Sequence, residues 1–296
     1  MAIGTPAAEI EIDASLVRAL LQDQHPDLAD LPIEHFAGGW DNAMFRLGDA
    51  FTVRLPRRQI AAQLVLNEQA WLADLQPLLP IPVPAPLRTG EPTENYPWHW
   101  SVLPWFEGSA ADLAPPAAAE AACLAEFLLA LHLPAPPDAP LNDVRGIPLQ
   151  HRAAQVAERL TRLRDKTDLI TPGVEQIWES GLAAPRSTTR MWLHGDLHSQ
   201  NVLVDIATGK ITAVIDWGDI TSGDVATDLA AVWLLFEDRS AREHALQIYG
   251  PDQATLDRAK AWAVLFAAVL LDSGLINNPR HAAIGRQAFQ RISEDG

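Results

Sequence analysis

Asp196, Asn201 and Asp216 are the residues of this chain best suited by type and spacing to do chemistry together. Asp196 and Asn201 lie in His194-Gly195-Asp196-Leu197-His198-Ser199-Gln200-Asn201, and Asp216 follows in Ile215-Asp216-Trp217. One carboxylate can accept a hydroxyl proton. An amide oxygen and a second carboxylate can hold a divalent cation between phosphates. Phosphoryl transfer needs that division of labour, because its catalysis is mostly positioning and charge neutralisation. Magnesium prefers hard oxygen ligands and takes the rest from phosphates and water, so two protein ligands suffice. Of the flanking residues, His194 is expected to prop the loop, His198 to face substrate or solvent, and Trp217 to pack.

These residues need a scaffold that joins a loop to a following hairpin. Val202-Leu203-Val204 and Ile211 to Ile215 bracket Ala207-Thr208-Gly209-Lys210, which predicts that hairpin, with Asp216 at its end. Upstream, Met44-Phe45-Arg46-Leu47 and Phe51-Thr52-Val53-Arg54-Leu55 flank the turn signal Gly48-Asp49. Asp13 is a candidate N-cap for a helix over 13 to 24, with Leu16, Val17, Leu20 and Leu21 at helical spacing. A second helix is predicted over 61 to 75. Pro77, Pro80, Pro82, Pro84 and Pro86 then enforce an extended connector, and Trp98 to Phe106 reads as a strand. Helices are predicted over 116 to 133, 149 to 166, 173 to 180, 224 to 236, 240 to 249, 254 to 272 and 280 to 292, with a proline-rich link from Pro134 to Pro148. Strands first and helices second predict an α+β chain in two lobes, residues 1–107 and 108–296.

The bulk properties agree. At 296 residues the chain exceeds the usual core of one domain, and 48% hydrophobic content argues against global disorder. Lys and Arg total 22 against 38 Asp and Glu, a net charge of −16. That charge disfavours nucleic acid or an anionic membrane as partner and would attract a cationic substrate. Cys123 is the sole cysteine, so no intrachain disulfide is expected. With no basic-then-apolar start, the expected location is cytoplasmic. The most apolar stretch, Ala261 to Leu271, is shorter than the roughly 20 residues of a membrane span and reads as a buried helix. The pattern carries no signature of an oligomeric state.

The run from His194 to Asn201, the run Val214-Ile215-Asp216-Trp217 and Gly223-Asp224-Val225-Ala226-Thr227-Asp228-Leu229-Ala230 together resemble the aminoglycoside phosphotransferase family, a branch of the protein-kinase-like fold. The strong motifs cover roughly residues 191 to 231, and a weaker likeness in element order runs from about 33 onward. The resemblance implies a bilobal kinase-like fold, with a small β-rich nucleotide-covering lobe and a larger helical lobe for catalysis and substrate. It implies Asp196 as the catalytic aspartate, Asn201 and Asp216 as Mg2+ ligands, and ATP or GTP as donor. Arg54 stands where kinases carry a phosphate-gripping lysine, as in macrolide kinases, and Glu68 is its expected partner. Gly38-Gly39-Trp40-Asp41-Asn42 falls at the phosphate-covering loop, although it lacks the full G-x-G-x-x-G pattern. Leu103-Pro104-Trp105 falls at the lobe connector, where backbone groups would read the base. Asp228 is expected to brace the catalytic loop and Asp224 to cap a helix.

The leading expectation is an enzyme that transfers the γ-phosphate of a nucleotide to a hydroxyl of an antibiotic, first an aminoglycoside. A macrolide kinase, or a kinase of choline, homoserine or a sugar, is the alternative. Glu237, Asp238 and Asp272 are candidates for an acidic cleft facing an amine, and the 261 to 271 helix for a macrolide pocket. Two other classes compete. His194 and His198 are four apart, as in a zinc-binding helix, but Gly195 stands where that motif needs its glutamate. A nucleotide-binding protein without catalysis is encouraged by arginine in place of lysine at position 54.

Overall fold

A computed structural model of the chain describes residues 7–38 and 41–295. Asp13 accepts a hydrogen bond from the Leu16 amide (2.8 Å) and opens α1, Ala14–Gln24, as its type predicts. Val17, Leu20 and Leu21 form the buried face of that helix. Next come β1 (Ile33–Gly38), β2 (Asn42–Leu47), β3 (Phe51–Pro56), α2 (Gln59–Leu75), β4 (Arg88–Gly90) and β5 (Trp100–Pro104). The strands make one antiparallel sheet in the order β1-β2-β3-β5-β4. Gly48 turns the β2–β3 hairpin in the left-handed region, φ 56°, a conformation that glycine adopts without penalty.

Strand alternation sets what this sheet does. Val53 and Leu55 join Val17, Leu20, Leu21, Phe45 and Leu47 in one apolar cluster with α1. Side chains one position away point to the opposite face. Arg54 is therefore presented to α2, where it meets Glu68.

The remainder holds β6 (Ser109–Ala110), α3 (Glu120–Leu131), α4 (Ala153–Arg164), α5 (Pro172–Ala183), β7 (Met191–Leu193), β8 (Val202–Val204) and β9 (Ile211–Val214). It closes with β10 (Thr221–Gly223), α6 (Ala226–Leu229), α7 (Ala231–Leu235), α8 (Arg239–Tyr249), α9 (Gln253–Asn277) and α10 (Pro279–Glu294). A small sheet runs β6-β8-β9, and β7 pairs with β10. α3 starts at Glu120 rather than Pro116, because the Ala117 amide bonds the Gly209 carbonyl (2.9 Å) in the β8–β9 turn instead of opening a helix. The helix predicted over 224 to 236 divides at Ala230 into α6 and α7. At 25 residues, α9 is longer than its sequence suggests, and by length and composition it is apolar enough to cross a membrane. Yet 72% of its most apolar window is buried inside the protein, against α4, α5, α6 and α10. It is the central core helix, as the 261 to 271 run predicts.

Candidate active site

β7 delivers the 194–201 loop. Its last residue, Leu193, pairs with Thr221 of β10, so the loop starts from a fixed edge. Asp228 of α6 then pins the first turn: its carboxylate accepts from the His194 amide (2.7 Å) and the Gly195 amide (2.9 Å). Asp228 is fully buried, in keeping with the bracing role expected of it. Gly195 sits at φ 87°, and a Cβ there would lie 2.4 Å from the Asp219 carbonyl oxygen, so only glycine fits.

His194 fastens this loop to the segment carrying Asp216. Its Nδ1 accepts from the Asp196 amide (3.2 Å), which leaves the proton on Nε2 to donate to the Ile215 carbonyl (3.0 Å). Both ring nitrogens are thus engaged, which leaves neither for the zinc site weighed above. Asn201 adds two ties. Its side-chain nitrogen donates to the Asp196 carbonyl (2.8 Å), and its own carbonyl accepts from the Ile215 amide (2.8 Å). Asp196, Asn201 and Asp216, separated in sequence, are brought into one site.

Asp216 has an unusual backbone for its type. At φ 60° and ψ 68° it is the single non-glycine residue in the left-handed region among the described residues, a conformation costing on the order of 1 kcal/mol or more. Trp217 anchors it, fully buried, with its indole nitrogen on the Val214 carbonyl (2.9 Å) and its ring 4.7 Å from that of His194. Arg54 reaches Asp216 from the sheet: Nη2 lies 3.2 Å from Oδ1, while Nη1 is bonded to Glu68. With the Asn42 amide turned to satisfy both of its ends, its oxygen accepts from Arg54 Nε (3.1 Å) and Nη2 (2.8 Å). Arg54 is 3% exposed and Glu68 2%. Burial pushes the Glu68 carboxyl up to about 7, against the pull of the Arg54 guanidinium.

Asp196 has a contrasting environment. Burial alone would raise its carboxyl, but Arg145 first and His198 second overcome that and hold it well below the usual carboxylate range. Arg145 Nη2 lies 2.6 Å from Oδ1, and His198 Nε2 lies 3.5 Å from Oδ2. His198 Nδ1 accepts from the Gln200 amide (3.2 Å), so its proton faces Asp196. Asp219 is shifted the other way, raised by burial and by the Asp196 charge, with Asn142 donating to it at 2.7 Å. Arg145, Asn142 and Asp219 carry no signal in the sequence that singles them out; the Pro134 to Pro148 link reads as a spacer.

The other expected residues fall as follows. Gly38 ends β1 opposite Ala43, while Gly39 and Trp40 lie outside the described residues. Asp41, at the end of that loop, is ion-paired with Arg58. Leu103 is buried and paired with Thr52 in the sheet. The Trp105 amide bonds the Ala50 carbonyl (2.8 Å), and its ring lies under Arg46. Asp224 precedes the cap position of α6, accepts from the Ala226 amide that opens the helix (3.2 Å), and also takes the Arg258 guanidinium at 2.6 Å. The three acids weighed for an amine-binding cleft have other partners. Asp272 is buried with Arg162 at 2.6 Å, Asp238 caps α8 through the Ser240 amide, and Glu237 lies 3.6 Å from Arg291.

For a cation, the fit rests on two oxygens. Asn201 uses its amide nitrogen on the Asp196 carbonyl, which leaves Oδ1 as its ligating atom. The Asp216 side chain is 58% exposed and has Oδ2 clear of Arg54. One amide and one carboxylate oxygen suit a magnesium ion completed by phosphates and water. Among the described residues, no group of three or more His, Cys, Asp or Glu is arranged to hold a metal on its own.

The model of the phosphotransferase enzyme family, APH, matches residues 32–262 of this chain. No curated protein matches it. Solved structures share the kinase-like α+β fold over most of its length. The GDP complex of wild-type aminoglycoside 2'-phosphotransferase-IIIa is 17% identical with a TM-score of 0.69, covering 96% of this chain and 99% of that chain. Macrolide 2'-phosphotransferase MphH from Brachybacterium faecium is 22% identical with a TM-score of 0.58, covering 94% and 97%. Aminoglycoside phosphotransferase APH(3'')-Id from Streptomyces rimosus is 20% identical with a TM-score of 0.59, covering 86% and 98%.

Proposed function

This chain belongs to the phosphotransferase enzyme family and is a phosphotransferase with a hydroxyl acceptor, and from that premise we propose a nucleotide-dependent small-molecule kinase in which Asp196 orients and deprotonates the acceptor. The acceptor oxygen forms a bond to the γ-phosphorus as the bond to the bridging oxygen of the nucleotide breaks. A nucleoside diphosphate leaves, and the hydroxyl proton passes to Asp196. Asp196 is suited to this because Arg145 and His198 keep it ionised. Asn201 and Asp216 would hold Mg2+, which would supply charge neutralisation at the phosphates. Arg54 keeps Asp216 in place, and Glu68 fixes Arg54. Residues 1 to 107 then act as the nucleotide-covering lobe, with Gly38, Leu103 and Trp105 toward the nucleotide, and residues 108 to 296 as the catalytic lobe.

The observation that carries this reading is the convergence of Asp196, Asn201 and Asp216 through the His194, Ile215 and Asn201 hydrogen bonds. ATP or GTP is the donor; relatives of the same fold are named as complexes of GDP, ATP and ADP. An antibiotic acceptor is supported by likeness to aminoglycoside and macrolide phosphotransferases. A polycationic acceptor receives less support from the side chains, since Asp272, Asp238 and Glu237 are already engaged. The test is a panel of aminoglycosides, macrolides, choline and sugars, each with MgATP and MgGTP, scored by the mass of the phosphorylated product. A phosphorylated acceptor is expected. Nucleotide binding with no product from any hydroxyl compound would favour the non-catalytic alternative.

A further inference from the structure

Five arginines are buried among the described residues: Arg54, Arg152, Arg242, Arg258 and Arg291. Four of them have carboxylates. Arg54 meets Glu68, Arg242 meets Asp295 at 2.7 Å, Arg258 meets Asp224 at 2.6 Å, and Arg291 meets Glu237 at 3.6 Å. Arg152 is the exception. It stands at the N-terminal cap position of α4 and is 8% exposed, and its side chain makes no hydrogen bond or ion pair with any described residue. Its Nε is buried without a partner. The charges acting on it are those of Arg145 and Arg159, both of its own sign. Burial first, and these two cations second, lower its guanidinium to about 10, so it stays charged at neutral pH.

A buried cation without a counter-ion is costly to the fold, and such groups gather at functional sites. This one is coupled by charge to a residue that touches the reaction centre. Arg145, the cation that acts on it most strongly, is the residue bonded to Asp196 Oδ1 at 2.6 Å. Arg145 is itself incompletely used, with Nε buried and unpartnered and its guanidinium 4.8 Å from the Phe266 ring centroid. We propose that Arg152 and Arg145 form an oxyanion subsite beside Asp196, so that the acceptor carries a carboxylate or phosphate group near its reacting hydroxyl. The proposal rests on the phosphotransferase reading and names the acceptor class. The oxyanion supplies the counter-charge that Arg152 lacks and shares Arg145 with Asp196. Drawn toward the acceptor, Arg145 releases Oδ1 to take the hydroxyl.

The test is equilibrium binding of glycerol, D-glycerate, glycerol phosphate and inorganic phosphate to the full chain and to Arg152→Gln. Each is measured with MgADP and with a non-hydrolysable nucleoside triphosphate analogue. The charged probes are expected to bind more tightly than glycerol with either nucleotide, and Arg152→Gln to weaken them about tenfold or more, as loss of a charge-assisted contact does. The better of glycerate and glycerol phosphate identifies the oxyanion. Without any probe, Arg152→Gln is expected to melt no lower than the parent, because it removes an unpaired charge. A lower melting temperature would make Arg152 structural and overturn the proposal. So would equal binding of glycerol and glycerate, an altered nucleotide affinity in the variant, or anion binding that the triphosphate analogue abolishes, which would assign the cations to the γ-phosphate. Binding as expected with no acceptor ever phosphorylated would leave the anion site standing and remove the kinase reading.

Discussion

Replacing Arg54 by Met tests how the sheet and the Asp216 segment are held together. The change removes the counter-charge of Glu68, one partner of Asp216 and the donors to Asn42. Breaking a buried pair from one side costs about 3–5 kcal/mol. Part of that cost depends on pH, and its sign follows from Glu68. The folded carboxyl lies at about 7, above its ordinary value of 4.5. The stability this protonation contributes is fully present below about 4.5 and is lost as pH rises through 7. Without Arg54 the carboxyl rises further and keeps its proton at pH 8, while the wild type has released it. The variant's penalty therefore grows by about 1.4 kcal/mol per pH unit above 7. Thermal unfolding of wild type, Arg54→Met, Glu68→Leu and the double variant, at pH 5.5 and pH 8, measures this. At about 2 °C per kcal/mol for a chain of this size, Arg54→Met is expected to melt roughly 6–10 °C lower at pH 8 and by a smaller margin at pH 5.5. The double variant is expected to recover part of the loss, since two apolar side chains replace the pair. A penalty that is the same at both pH values, or larger at pH 5.5, would refute the buried-pair reasoning.

Two other substitutions probe the loop. Gly195→Ala forces a Cβ against the Asp219 carbonyl at φ 87°, so we expect a stability loss of about 1–3 kcal/mol and a fall in turnover of at least tenfold, read by unfolding and by kcat. An alanine variant with normal kcat would show that the close approach does not place Asp196. Arg145→Gln removes the largest influence lowering Asp196. A base held below its usual range stays ionised as pH falls, so the acidic limb of kcat/KM is expected to move to higher pH in the variant, measured from pH 8 down to the lowest pH at which both proteins stay folded. An unmoved limb would take Asp196 out of the titration.

The parts of the site that are legible in the sequence are those written in contiguous residue types. His194 to Asn201 and Ile215 to Trp217 show their chemistry by composition, and Arg54 and Glu68 fall on a strand and a helix with clear periodicity. Other parts depend on contacts between distant segments. β4, β7 and β10 have three residues each and β6 has two, too few for alternation to register. Arg145 sits in a proline-rich link without periodicity, 51 residues from the aspartate it binds. Arg152 reads as an ordinary charge on an amphipathic helix, and only the packed chain reveals that no carboxylate among the described residues pairs with it. The start of α3 escapes for a similar reason, since Pro116 signals a helix but Ala117 is claimed by Gly209.

Asp196→Asn is the most direct measurement of the central claim. It keeps the size and the polar character of the side chain while removing the proton acceptor. Turnover with the best acceptor of the panel is expected to fall by about 10²–10⁴-fold, with the melting temperature and the MgATP dissociation constant close to those of the wild type. An Asp196→Asn enzyme that turns over near the wild-type rate would contradict the account, because the hydroxyl would then be activated by some other group.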